Sequence, residues 1–280
     1  MANIFLVTFG TGKYNKRRFV LAEQARKTNL FDSILAYGKK DLGPKYHRNV
    51  NFDDQARRPS SLGEVPIQIR KKNEYFLWKP YLIQKTLREL DDGDILMYIV
   101  AGCTINKNQI GSLRLLLDMI EGSPKEICGI VFRVEKNHPI KNLTKRDILI
   151  RFPAVDIELP QLAGGYIIFR KSENTLSVVK QWYDLCCIDS NSLLDDSPSK
   201  SGKESADFVN NQHDQALLTM CVYDSGKFVI LPSELNTNKK IAPFFPSRRK
   251  DQDDTIIGRI KHRLQWLQRN IIRVLSESKN

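Results

Sequence analysis

Short apolar runs alternate with polar, helix-forming stretches through the first half of the chain, and that alternation restricts the fold more than any other feature. NIFLVTFG (3–10) and SILAYG (33–38) each close on glycine, DILMYIV (94–100) follows an acidic turn, and ICGIVFRV (127–134) completes the set. Runs of this length and apolarity read as strands buried on both faces. Between them, 16–28, 78–89 and 113–121 read as helices, with Pro80 in a first turn, where a missing N–H is harmless. The alternation predicts an α/β fold: a mostly parallel sheet flanked by helices, with ligands beyond the C-terminal strand ends.

The second half is less regular. AGGYIIFRKS (163–172) reads as a strand opened by small residues, and Ser172 stands where it would cap a helix over 173–187, with Glu173 in the first turn. Leu176, Val179, Trp182 and Leu185 recur there at helical spacing. Residues 39–72 read as irregular and basic. Residues 189–206 are rich in Ser, Asp and Lys and read as a mobile surface loop. HDQALLTMCVYD (213–224) is expected to be helical and KFVILPS (227–233) a late strand. In 251–280, Ile257, Ile260, Leu264, Leu267, Ile271 and Val274 make one apolar stripe of a basic amphipathic helix. Three fates are open to it: packing on the domain, lying on an anionic membrane, or pairing with a partner helix.

Lys and Arg number 44 against 32 Asp and Glu, a net charge of +12, which favours an anionic partner. The basic residues are spread along the chain outside the tail and no recognition motif is present, so nucleic acid is not the expected partner. Five cysteines without CxxC spacing suit reduced core thiols. The N-terminus lacks the basic and long apolar regions of a signal peptide, and no run reaches the roughly 18 residues of a membrane span. A cytoplasmic protein is expected, peripheral on the inner membrane face if the tail lies there.

Seven phrases occur in order: FLWKPYLIQKTL (76–87), GDILMYIVAGCTIN (93–106), LTKRD (143–147), QLAGGYIIFRKS (161–172), LLDDSPS (193–199), QHDQALLTM (212–220) and PSRRK (246–250). As an ordered set over roughly 1–250, they resemble a family of bacterial and large-virus glycosyltransferases. That family shows a WKP helix, a GDI-x-x-Y-x-DAG strand, a TK-x-D segment, a Q-x-A strand with FRK, and a HDQ helix. The resemblance implies a GT-A-like (Rossmann-like) domain over 1–250 that moves a hexose from a nucleotide-sugar donor to a glycan or lipid-linked glycan in surface-polysaccharide synthesis.

It also implies site residues. Thr8, Phe9 and Gly10 at the first strand end, with Lys13 and Tyr14, face the nucleotide, the glycine allowing close backbone approach. Lys79 reaches the diphosphate or is a solvated lysine. Tyr98 and Val100 stand at the tip of the third strand. Gln161, Ala163 and Gly164 line the sugar pocket, and His213 and Gln215 flank it. Asp214 is a general base for the acceptor hydroxyl, a hydrogen-bond acceptor for sugar hydroxyls, or a plain N-terminal helix acid. Asp147 caps or positions the acceptor side. Arg248 and Arg249 supply positive charge.

One departure cuts against the pattern. The family places an Asp where Val100 stands, and that Asp ligates the Mn or Mg ion that bridges the donor phosphates. Valine cannot ligate a metal. Phe245, Pro246 and Ser247 occupy the place where the family tends to carry a histidine pair. No metal is therefore assigned to these residues. Three explanations stand: a metal-independent enzyme using Lys79, Arg248 and Arg249; a catalytically impaired relative that binds nucleotide or glycan without turnover; or a substitution peculiar to this chain.

Overall fold

In a computed structural model, described over residues 2–43, 46, 75–134 and 138–248, the apolar runs become strands. In chain order these are β1 (Ile4–Phe9), β2 (Ser33–Tyr37), β3 (Ile95–Ile99), β4 (Thr104–Ile105), β5 (Gly129–Phe132), β6 (Tyr166–Arg170), β7 (Phe228–Leu231) and β8 (Phe244–Phe245). Six form one sheet in the order β2-β1-β3-β6-β5-β7. Five strands run the same way, and β6 alone runs against its neighbours β3 and β5. The tail 251–280, most of 39–72 and Arg249 lie outside the described residues.

The helices are α1 (Arg17–Arg26), α2 (Trp78–Leu87), α3 (Ile110–Gly122), α4 (Ile140–Leu143), α5 (Arg146–Leu149), α6 (Glu173–Cys187), α7 (Asp214–Ser225) and α8 (Glu234–Thr237). They cover both faces, so the sheet has to be apolar throughout. In β3 all five residues are buried, and alternation sends them to opposite sides. Leu96 and Tyr98 join α2, α6 and α7 in one core cluster; Ile95, Met97 and Ile99 join α1 and α3 in the other. Each such fully buried Leu or Ile contributes about 1.5–3 kcal/mol. Ser172 caps α6 as expected, its hydroxyl accepting the Thr175 N–H at 3.2 Å. All five cysteines are free, four of them buried.

The direction of β6 decides which residues stand at the ligand edge. Because it is antiparallel, its entry rather than its exit lies where β1, β3, β5 and β7 end. Gly164 and Gly165 therefore stand between the tips of β3 and β5. The Val100 N–H donates to the Gly165 carbonyl at 2.8 Å, and the Ala163 N–H to the Phe132 carbonyl at 2.7 Å. A two-stranded ribbon of β4 and β8 returns the late chain to the same tip, where the Ser247 hydroxyl donates to the Gly102 carbonyl at 2.9 Å.

The Ser-rich segment 189–206, read as a mobile surface loop, is exposed over most of 196–203 and anchored at its start and across its length. Leu193 and Leu194 are buried in the core with α6 and α7. Lys145, itself buried, donates to Ser192 O, Asp195 Oδ1 and Ser197 Oγ. Asp147 accepts the Lys200 and Ser201 N–H groups. Two apolar residues among the serines, together with Lys145 and Asp147 at the short helix α5, tie the segment down.

Candidate active site

Lys79 and Asp214 meet at the centre of this edge. Lys79 lies in the first turn of α2 and Asp214 opens α7, and Nζ stands 2.5 Å from Oδ2. Both are buried, Lys79 5% and Asp214 1% exposed. Lys79 is not a solvated lysine, and Asp214, an acid in the first turn of α7, faces it; each is the other's counter-ion. Burial pushes the Asp214 carboxyl above the usual aspartate range, against the opposing pull of Lys79 and His213.

The surroundings hold this pair in place. The Trp182 indole, fully buried on α6, donates to the Asp214 carbonyl at 2.8 Å. His213, just before Asp214, has φ 56° and ψ −125°, a conformation that favours glycine. It is held there by Nδ1 donating to the Leu194 carbonyl at 2.6 Å and by its ring lying 4.8 Å from that of Tyr75. Phe76 also has a positive φ, 65°, and its ring centroid is 5.2 Å from Lys79 Nζ. Strain at two residues that flank one ion pair is the kind found at functional sites.

The glycine pair links Lys79 to the tip of β3. A Cβ on Gly164 would lie 3.3 Å from Lys79 Nζ and 3.1 Å from Gln215 Cβ; one on Gly165 would lie 3.5 Å from Val100 Cγ1. The Gln215 amide oxygen accepts the Gly164 N–H at 3.1 Å. Lys79, Val100, Gly164, Asp214 and Gln215 thus come together, with His213 adjoining. Tyr98 is fully buried beneath them, its ring centroid 6.0 Å from Lys79 Nζ and its hydroxyl without a hydrogen-bond partner among the described residues. Burial and then the charge of Asp214 push its phenol well above the usual range.

Other residues are placed differently. Thr8 and Phe9 are buried, and Phe9 stacks on Trp78 at 4.2 Å, so these side chains pack inward. Gly10 is needed for its own turn: a Cβ there would sit 2.2 Å from the Tyr14 carbonyl oxygen. Lys13 is exposed, 5.8 Å from the Tyr14 ring centroid. Gln161 is fully buried, its Oε1 accepting the Thr144 hydroxyl at 3.4 Å and its Nε2 unpaired among the described residues. Ala163 packs in the core on the α1 and α3 side. Arg248 is exposed, with φ 53°, one residue beyond the Ser247–Gly102 contact. Asp147 lies on the clamp for 200–201.

The residues at the tip do not fit the divalent ion that the resemblance implies. The Val100 side chain is aliphatic, its N–H goes to Gly165 and its carbonyl accepts the Cys103 N–H. Ser247 is turned to Gly102 and Thr104. Among the described residues no three His, Cys, Asp or Glu side chains are grouped to hold a metal ion, and no helix is long and apolar enough to cross a membrane.

Trp182, Phe76, Gly165 and Ser247 were not singled out by sequence as site residues. Trp182 lay on an apolar stripe and gave no sign that its N–H is aimed at a carbonyl 32 residues away.

No protein-family model matches the chain, and no curated protein matches it. Among solved structures, that of a glycosyltransferase involved in the glycosylation of the major capsid of PBCV-1 aligns with 87% of this chain and 91% of its own, at 10% identity and a TM-score of 0.47. Identity of 10% transfers no residue role, so the site stands on its own geometry.

Proposed function

We propose that the chain is a nucleotide-sugar-dependent glycosyltransferase that moves a hexose to a hydroxyl of a glycan or lipid-linked glycan in surface-polysaccharide synthesis. The observation that carries this reading is convergence. The start of the WKP helix, the end of GDILMYIV, the glycines of QLAGG and HDQ meet at one sheet edge, around a buried cation and a carboxylate, and PSRRK reaches the same strand tip through Ser247. Open α/β sheets bind ligands at that edge.

In this reading the donor diphosphate lies across the tip of β3, and Lys79 and Arg248 balance its charge in place of a metal. The acceptor hydroxyl oxygen forms a bond to the anomeric carbon as the bond from that carbon to the phosphate oxygen breaks. The electron pair leaves on the nucleoside diphosphate, and the hydroxyl proton passes to the Asp214 carboxylate. Gly164 and Gly165 leave room for the sugar, and the Gln215 side chain orients it. The basic amphipathic pattern of 251–280 supports docking on an anionic membrane face.

Val100 favours a second reading, a relative that holds nucleotide or glycan without turnover. Incubating the purified protein with a panel of nucleotide sugars, with and without manganese, and measuring hydrolysis and thermal unfolding, tests both. Turnover that ignores chelator sustains the metal-independent enzyme. Turnover only after Val100→Asp, with manganese, sustains the impaired relative. No thermal shift with any nucleotide sinks both.

A further inference from the structure

We propose that Lys79 and Asp214 form a donor-operated latch: an arriving diphosphate draws the Lys79 ammonium away from Asp214 and so frees the carboxylate for the acceptor. The inference rests on the glycosyltransferase reading and goes beyond it, because it orders the two binding events.

Three observations carry it. First, among the described residues the ammonium has a single hydrogen-bond acceptor, Asp214 Oδ2. A lysine has three N–H donors. Also around it are the Phe76 and Tyr98 rings, 5.2 and 6.0 Å from Nζ, Cys186, and the Gln215 side chain over Gly164. A phosphate oxygen on the Gly164 side would satisfy the donors that Asp214 does not take.

Second, the ammonium already lies beside the glycine pair that leads to the strand tip. A Cβ on Gly164 would stand 3.3 Å from Nζ and 3.1 and 3.2 Å from Gln215 Cβ and Cγ, and one on the next residue, Gly165, 3.5 Å from Val100 Cγ1. The lysine stem has four rotatable bonds, and a move toward the strand tip passes over glycine backbone and displaces only the flexible Gln215 side chain.

Third, Asp214 in its ion pair is a poor base, since one oxygen is held by an ammonium at 2.5 Å. Burial raises its affinity for a proton and Lys79 is the first influence that opposes this. Moving Lys79 onto a diphosphate removes that opposition when the donor is in place. The other groups that face the carboxyl, Tyr98 from β3, Cys186 from α6 and His213 from the preceding residue, stay where they are. Free enzyme would then be protected from using water as acceptor.

The test is nucleoside diphosphate affinity by calorimetry on the full chain, with uridine and guanosine diphosphate as probes. The variants are Asp214→Asn, Lys79→Met and the double Lys79→Met/Asp214→Asn. A latch predicts that Asp214→Asn, which removes the competitor for Lys79, binds the better probe about tenfold more tightly than wild type, a difference near 1.4 kcal/mol. Lys79→Met loses that affinity, and adding Asp214→Asn to it restores none. Equal or weaker binding by Asp214→Asn overturns the latch while leaving the transferase reading intact; failure of wild type to bind either probe overturns both. Should Asp214→Asn not fold, carboxyl-13C spectra of wild type serve instead. A shift of the Asp214 resonance on adding diphosphate that is absent in Lys79→Arg supports the latch, and an unmoved resonance at saturation overturns it.

Discussion

Two buried lysines each hold an aspartate within a short reach of His213, and the surroundings treat the two pairs in opposite ways. Lys145 has three acceptors, Ser192 O, Asp195 Oδ1 and Ser197 Oγ, all within 3.2 Å. Asp195 in turn accepts from Lys145, the Ser197 hydroxyl and the Ser197 N–H. Burial alone would push its carboxyl up, but those hydrogen bonds outweigh it and hold the carboxyl below the usual range. Lys79 has one acceptor among the described residues, and Asp214 is pushed up. The first pair is satisfied and ties a loop. The second is under-satisfied and carries a desolvation cost that a ligand can relieve. A perturbed carboxyl in that state, at the ligand edge of an α/β sheet, marks the site better than the lysine or the aspartate does alone.

The sharpest way to break this contrast is to remove each lysine. Lys79→Met leaves a carboxylate 1% exposed without its partner, and should destabilise the fold by about 3–5 kcal/mol in chemical denaturation. Lys79→Met/Asp214→Asn should recover most of that loss, since no unpaired charge remains. Were the single variant as stable as wild type, the pair would not be the buried, mutually dependent unit described. Lys145→Met should cost less, about 1–3 kcal/mol, because the Asp195 side chain is 27% exposed and can turn to water. Its signature is local: faster amide exchange over 192–204, with the strands unchanged.

Gly164→Ala comes next in size. Its Cβ would stand 3.1 Å from Gln215 Cβ and 3.3 Å from Lys79 Nζ, so both neighbours have to yield by a few tenths of an ångström. About 1 kcal/mol of destabilisation is expected. Diphosphate affinity should fall several-fold more than Gly111→Ala lowers it, since Gly111 has open space around it. Equal affinity in the two alanine variants would remove Gly164 from the site.

Range along the chain decides how much the sequence disclosed. The strands were legible because each is a near-continuous apolar run, and the α6 cap because Ser172 acts on Thr175, three residues on. The phrases that build the site were legible as an ordered set. Their pairing was not: Lys79 and Asp214 are separated by 135 residues, and nothing in either phrase says that the two charges cancel. The turn at Gly10 was legible as a glycine closing a strand, but not the atom that demands it, the Tyr14 carbonyl oxygen four residues on. In 189–206, Ser, Asp and Lys point to a mobile surface loop, and most of 196–203 is exposed; Leu193 and Leu194, adjacent and apolar amid that polarity, are the sign of where it is anchored.

The smallest effect is in acid, and there the two pairs should part by sign. Asp195 has a folded-state value below the ordinary 3.8, so its contribution to stability is present above 3.8 and lost as pH falls through the lower, folded value. Asp147, which holds 200–201, is also lowered, by Ser201 and Lys200 hydrogen bonds that outweigh burial, and behaves in the same way. Asp214 has a folded-state value above 3.8; its protonated form is the one the fold favours, and that contribution is present below 3.8 and lost as pH rises through the higher, folded value. Carboxyl-13C titration of the intact protein should therefore show Asp214 protonating first as acid is added, while Asp147 and Asp195 stay ionised and the 192–204 segment stays docked. The reverse order would mean that the Lys79 contact outweighs burial, making Asp214 as comfortable a carboxylate as Asp195. The contrast on which both the site and the latch depend would then disappear.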